Sequence, residues 1–390
     1  MTLQGGGTVT LNSGDANGSA FVQQSGGSFT LTNVDNTIEG YGTIGNGGLS
    51  FLNDVAGLLL ANVPMQSLQL NASGTATNLG TFQADDSTLS LTSSLTNFAV
   101  NALTGGTWEA SNGGTLSFDS PANAIDTNAA TLVLNGPGSS IQTKTGAGGT
   151  YQQVEQTLTT NDGTLEVIGN RNFSGSNGLI NNGVVQLGGG TLTAPSLTSN
   201  PGSVLSGFGT FSPAGGTTIG NGAEVSPGSA AAGQRIATLS FGTPLTFGPA
   251  GVYAFDLKNA PGAMAGTDYD TVSVSGVLSV TSTPGSPFSI AVESIDPASG
   301  NPGLANFNPA QPYSWTLVSA GSISGFNPAD FSFNTSAFQN SLGGGSFSMG
   351  QLGNSLTLNF VPVPEPGTWA LLLAGVAVVA IGARVRKDAR

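Results

Sequence analysis

Gly163-Thr-Leu-Glu-Val167, then the pairs Asn177-Gly178 and Asn182-Gly183, then Gly190-Thr-Leu-Thr-Ala194: the fold is decided by how these residues are read. Polar and apolar side chains alternate with period two, and Thr and Val suit a pleated, half-buried surface. Asn and Gly tolerate positive φ, so each Asn-Gly pair is a candidate tight turn. The stretch reads as short strands separated by turns.

The same grammar runs outward in both directions. Further strands are expected at Gly7-Thr-Val-Thr-Leu11, Gly80-Thr-Phe-Gln-Ala84 and Gly106-Thr-Trp-Glu-Ala110, with turns at Asn17-Gly18, Asn46-Gly47, Asn112-Gly113, Asn135-Gly136 and Asn221-Gly222. Gly followed by Thr, Ser or Val recurs at 7, 27, 42, 80, 106, 163, 183, 190 and 209, and several gaps (7 to 27, 163 to 183, 190 to 209) are close to twenty residues. Recurrence of one strand-turn unit predicts an all-β chain built as a β-solenoid (β-helix). Each rung stacks on the next because none can bury its apolar face alone. Stacked β-sandwiches are the competing architecture. The fixed leucine ladder of a leucine-rich repeat is missing, and before residue 360 no apolar stripe has helical spacing with caps.

Four segments are expected: solenoid repeats over 1–219, continuing β-rungs over 220–283, an aromatic-rich β module over 284–361, and a different kind of tail over 362–390. Within the second, Tyr253, Phe255 and Leu257 alternate to one face. The third ends in a candidate hairpin, Ser346-Phe-Ser-Met349 and Ser355-Leu-Thr-Leu-Asn-Phe360 around Gly353-Asn354, suited to capping a stack of strands.

Composition excludes several chemistries. There are no His and no Cys, which removes the commonest general base, the common zinc ligands, disulfides and thiol nucleophiles. Gly numbers 60 of 390, roughly twice the usual share. Charged residues make up 7% and the net charge is −13, so the chain has too few charges and too many apolar residues for a disordered polymer. No Lys or Arg precedes Lys144, and nucleic-acid binding is not expected.

The tail reads as a sorting device. Pro362-Val-Pro-Glu-Pro-Gly367 is extended, because proline excludes helix at its own position and at its predecessor. Gly367 to Ala383, including Trp369, Leu372, Gly375 and Val378, carries no charge. Its length gives roughly 25 Å of helix, at the short end of a membrane span, with Trp369 placed as an interfacial anchor. Arg384, Arg386, Lys387 and Arg390 follow, placing the tail on the cytoplasmic side and the body outside. The body, residues 1–362, keeps 4 basic against 19 acidic residues, net −15.

Pro364-Glu365-Pro366, the short apolar helix and the Arg-rich end together resemble the PEP-CTERM sorting signal of Gram-negative, exopolysaccharide-producing bacteria. The resemblance implies recognition by exosortase, a membrane cysteine protease that removes the tail near Pro364-Glu365-Pro366. Residues 220–360 are similar to regions that often precede such tails, and the body more loosely resembles autotransporter-passenger β-helices. Family members begin with a secretory signal peptide. Met1 to Thr10 has no basic n-region and no apolar h-region, so a longer N-terminus is expected. The implied course is a precursor anchored in the inner membrane, then a body at the cell surface or in the secreted matrix.

Two function classes remain. One is a non-enzymatic structural or adhesive protein of the extracellular polysaccharide matrix, offering Thr/Ser/Asn-rich rung faces to sugars. The other is a carbohydrate-active enzyme, a lyase or hydrolase, on a β-helix scaffold. Asp85-Asp86 is the adjacent acidic pair to test for the second, since glycoside hydrolysis uses two carboxylates. Neighbours on a strand point to opposite faces, and Lys144, Arg171, Arg235 and Lys258 are distant from the pair in sequence, so a solvated turn is the favoured reading. Asp268-Tyr-Asp270 reads as a turn, with a weak Ca²⁺ contact as the alternative. No cofactor, metal site or catalytic residue is assigned. A cleft gathering three acidic side chains would favour the enzyme, and a flat polar face the structural role.

Overall fold

Strands in the computed structural model follow one another at short intervals and pair mostly with strands one coil later, in parallel. The structure describes residues 1–13, 20–72, 74–120, 123–145, 149–229 and 234–363. The structure is mostly β, 55% strand and 2% helix, and among the described residues there is no closed barrel. The helical part includes the single turn Val154–Thr157 and the 3-10 turn Pro328–Asp330.

Three ladders organise the first half. One joins Thr2–Leu3, Phe29–Asn33, Leu49–Asn53, Thr75–Asn78 and Ser94–Leu95. The second runs through Thr8–Leu11, Thr37–Gly40, Leu58–Ala61, Thr81–Asp85, Ala102–Ser111 and Thr127–Asn135. The third joins Phe21–Val22, Gly42–Ile44, Ser67–Leu70, Thr88–Leu91, Thr115–Phe118 and Ser140–Lys144. In chain order the strands visit the ladders in turn, so Leu59 faces Phe82 and Leu68 faces Leu89. Parallel neighbours require such a crossover connection, because a two-residue hairpin cannot join them.

Period-two alternation therefore sends every second side chain inward. On the second ladder the register sets Val9, Ile38, Leu59, Phe82, Trp108, Leu132, Leu165, Val185, Leu205, Val225, Tyr253, Ile290 and Phe333 in one column. Ile38 to Ile290 in that column are buried, and each contributes on the order of 1.5–3 kcal/mol of burial free energy. The column passes residues 219/220 and 283/284 without a break. Aromatic rings meet there: Trp108 lies 5.2 Å from Phe82, edge to face, and 5.2 Å from Phe118 of the third ladder.

Several Asn-Gly pairs act at the corners between ladders. Both residues have positive φ at Asn112-Gly113 and Asn221-Gly222, and Gly alone does at Asn46-Gly47 and Asn135-Gly136. Neither residue does at Asn177-Gly178 or Asn182-Gly183, and Asn17-Gly18 lies outside the described residues. Long strands bend at paired glycines instead. Val184–Thr193 shifts register between Gly188 and Thr191, where Gly190 has φ +68° and a Cβ would meet the Arg171 carbonyl oxygen at 2.2 Å. Only glycine fits that corner.

The apolar stretch Leu239–Phe247 forms two strands, Thr238–Phe241 and Leu245–Phe247, because Pro244 cannot donate to a ladder. Val252–Leu257 lies where the alternation places it. At the end of the described chain the pairing turns antiparallel: Ser346–Leu352 and Ser355–Val361 form the expected hairpin, with Gly353 at φ +57°. That hairpin also pairs with Tyr313–Ser324. Phe307, Tyr313, Phe338, Phe347 and Phe360 gather there, with Phe307 and Phe360 centroids 4.9 Å apart.

Candidate functional site

Polar side chains fall in register on two of the ladders; most are half-buried, while Ser117, Ser140 and Gln186, and the apolar Val133 among them, are buried. On the second ladder Thr81, Thr107, Thr131 and Thr164 fall in one column, and Gln83, Glu109, Val133, Glu166 and Gln186 in the next. On the third, Ser67, Thr88, Thr115 and Ser140 form one column and Thr43, Gln69, Ser90, Ser117 and Gln142 another. Parallel strands lie about 4.8 Å apart and alternate residues about 6.6 Å apart, so hydroxyls and amides sit on a regular grid. Part of it is already tied together: Ser117 donates to Asp119 at 2.7 Å and Gln142 donates to Ser117 at 3.3 Å. Burial raises the carboxyls of Glu109 and Glu166 above their usual range, since desolvation penalises the charged form. At the end of the third ladder exposed Tyr151 has the Lys144 ammonium 5.9 Å from its ring centre.

Asp85 and Asp86 do not converge on one point. Asp85 ends a strand and accepts from Ser111 Oγ at 3.1 Å and Asn112 Nδ2 at 2.6 Å, while exposed Asp86 turns the chain at φ +48°. Asp268 accepts from Asn259 Nδ2 at 3.0 Å and from the Met264 amide at 3.1 Å, which is a turn organised by its own carboxylate. Asp270 is buried, and its two oxygens accept the amides of Ala237 at 2.9 Å and Asp256 at 3.0 Å. Among the described residues no group of three or more His, Cys, Asp or Glu has a metal-holding arrangement.

A second feature was not foreseen. A cleft of about 270 Å³ is lined by Glu224, Asp256, Glu293 and Arg235, together with Ser226 and Ser229. Asp256 and Glu293 face each other across the parallel strands Val252–Leu257 and Phe288–Ser294. Arg235 bridges them, Nε to Asp256 Oδ2 at 2.9 Å and Nη2 to Glu293 Oε2 at 2.6 Å. Burial pushes the Asp256 carboxyl up to about 7; Arg235 opposes the shift and Glu293 adds to it. Burial likewise raises Glu224 and, further, Asp270. On the other side of Arg235 lies a larger cavity of about 500 Å³, lined by Lys258, Gln234, Thr267, Asn301, Ile236 and Ile295 among others.

A third feature is internal. Asn33 donates to Asn53 at 2.9 Å and Asn53 to Asn78 at 3.0 Å; Asn128 donates to Asn161 and Asn161 to Asn181, both at 2.8 Å. All six are fully buried. Each amide also donates to a neighbouring backbone carbonyl, as Asn53 does to Gly57 at 2.9 Å. These are structural amide ladders, since a buried amide needs its bonds made inside the protein. The spacing 33 to 53 and 161 to 181 was the available signal.

The residues given sorting roles, Pro364, Glu365, Pro366, the span Gly367 to Ala383, and Arg384, Arg386, Lys387 and Arg390, lie outside the described residues. Among the described residues no helix is long and apolar enough to cross a membrane. No curated protein sequence matches the chain. The PEP-CTERM protein-sorting motif matches residues 362–387, and that match supports an exported protein sorted by exosortase.

Proposed function

We propose that the ladders form a β-solenoid displayed outside the cell, and that it works as a non-enzymatic structural or adhesive component of an extracellular polysaccharide matrix. The observation that carries this is the in-register grid of Thr, Ser and Gln side chains on two ladders. Such a grid offers many weak hydroxyl and amide partners to a repeating polymer, and its partners add along the chain length. The body has few charges to desolvate, which suits neutral sugars. Exosortase acts on the precursor while Gly367–Ala383 holds it in the inner membrane and the basic end keeps its orientation. Pro364-Glu365-Pro366, whose prolines disfavour helix, suits a protease groove that takes an extended chain.

The test is mass spectrometry of the surface protein from an exosortase-positive Gram-negative host. The mature chain is expected to lack roughly its last 25 residues, cut near Pro364-Glu365-Pro366, and Pro364→Ala with Glu365→Ala is expected to leave it uncut. Val376→Arg should hinder anchoring, because a cation at a helix centre costs about 2.5–3.5 kcal/mol on insertion scales. An intact Arg390 on the mature protein defeats the sorting reading.

The cleft at Glu224, Asp256 and Glu293 favours the enzymatic alternative, since it meets the three-carboxylate criterion. A protonated Asp256 near neutrality would supply a general acid beside a second carboxyl group. Against it, Arg235 already engages both Asp256 and Glu293. Release of reducing ends from polysaccharides, lost in Asp256→Asn, separates the two readings.

A further inference from the structure

The described body holds few cations, and most are committed. Arg171 pairs with Glu155, Arg235 pairs with Asp256 and Glu293, and Lys144 lies over Tyr151. Among the described residues Lys258 has no carboxylate within ion-pair distance, yet it lines the cavity of about 500 Å³. That volume falls in the range of about 300–1,000 Å³ typical of small-molecule sites.

The cavity forms where the strands Val252–Leu257 and Phe288–Ser294 run out. Lys258 follows the first and Ile295 the second, while Ile236 precedes Thr238–Phe241. The turn at Gly266-Thr267 and the loop Ser299–Asn301 complete the walls. Three kinds of group therefore converge: an unpaired ammonium, neutral donors from Gln234, Thr267 and Asn301, and an apolar patch from Ile236 and Ile295. Arg235 sits at the edge, with its guanidinium turned to the carboxylates of the adjoining cleft.

A body of net −15 repels anions at long range, so an unpaired cation within a cavity selects for an anion that also has something else to bind. The neutral donors match hydroxyls, and the isoleucines match the C–H face of a pyranose. We propose that this cavity binds a carboxylate-bearing saccharide, a uronic acid unit, with Lys258 taking the carboxylate. The inference rests on the glycan-matrix reading and adds to it an acidic unit with its own site, separate from the hydroxyl grid.

The full-length protein in detergent, titrated calorimetrically with a tetra-uronate and with a neutral tetrasaccharide of the same linkage, tests it. Acetate and inorganic phosphate serve as simple-anion controls. Expected is at least about tenfold tighter binding of the uronate, weakened by salt, with the preference lost in Lys258→Gln and retained in Lys258→Arg, both with unchanged circular dichroism. Thr267→Val should weaken the uronate alone. Equal binding of both saccharides, an unchanged preference in Lys258→Gln, or phosphate binding as tightly as uronate overturns the proposal. If neutral polymer binds and Lys258→Gln changes nothing, the cavity fails and the matrix reading stands. If uronate alone binds, through Lys258, the cavity stands and the hydroxyl grid fails.

Discussion

The asparagine ladders at residues 33–78 and 128–181 and the carboxylate cluster at residues 235–293 face the same problem, polar groups caught inside or against a stack of strands, and solve it with different chemistry. The earlier ladders use neutral asparagine, amide on amide, with each side-chain amide also donating to a backbone carbonyl. The later region uses carboxylates: Asp270 holds two backbone amides, and Asp256 and Glu293 share Arg235. An amide ladder is indifferent to pH, because nothing in it titrates. A carboxylate cluster is not. The contrast teaches that one stack of strands can carry polar devices that ignore pH beside devices that respond to it.

The largest expected effect breaks the neutral solution. Asn161 accepts from Asn128 and donates to Asn181 and to the Val184 carbonyl at 2.9 Å. Asn161→Ala leaves the amide and carbonyl groups on both sides short of partners in a dry interior. The cost should be about 3–4 kcal/mol, since each unsatisfied buried group costs about 1–3. Urea unfolding at pH 7.5 and pH 5.5 should show the same loss at both. A loss below about 1 kcal/mol would mean that water replaces the ladder.

Much of the stack could be read from the residues alone. Thr164–Ile168 and Val252–Leu257 follow directly from alternation, and the closing hairpin follows from its glycine-bearing turn. The ladders were hidden for a physical reason. Asn at the end of a short strand reads as turn punctuation, and the burial of Asn33, Asn53, Asn78, Asn128, Asn161 and Asn181 follows only when the coil length sets one amide over the next. The Arg235 cluster was hidden differently. Its partners lie 21 and 58 residues away, and only parallel register brings Asp256 beside Glu293. Asp85-Asp86 drew notice because its members are adjacent, yet adjacency on a strand separates side chains.

The second effect sharpens the contrast through pH. Asp256 has a carboxyl near 7 in the folded protein against 3.8 for the free group. The folded state therefore binds more protons than the unfolded state between those values, so stability falls as pH rises through the window and is gained on acidification. Between pH 7.5 and 5.5 the gain should be about 2 kcal/mol. Glu109, Glu166 and Glu224 are shifted in the same direction by burial. A melting temperature that rises from pH 7.5 to 5.5, and a rise that shrinks in Asp256→Asn, is the expected result. A flat profile in the wild type would place Asp256 among ordinary ionised carboxylates.

The smallest effect probes how the two carboxylates are held. Arg235→Gln removes two ion pairs whose cation is 27% exposed, so the loss at pH 7.5 should be modest, about 1 kcal/mol. The informative part is its pH dependence. Arg235 lowers the Asp256 carboxyl while burial raises it; without the guanidinium, Asp256 moves further up and is protonated already at neutral pH. Protonation of Asp256 removes a charge that the arginine was neutralising, so the deficit of the variant should be smaller at pH 5.5 than at pH 7.5. The variant thus becomes more pH-sensitive than the wild type while Asn161→Ala does not. If Arg235→Gln costs the same at both pH values, Arg235 acts by packing its stem between the strands, and the charge-based half of the contrast is withdrawn.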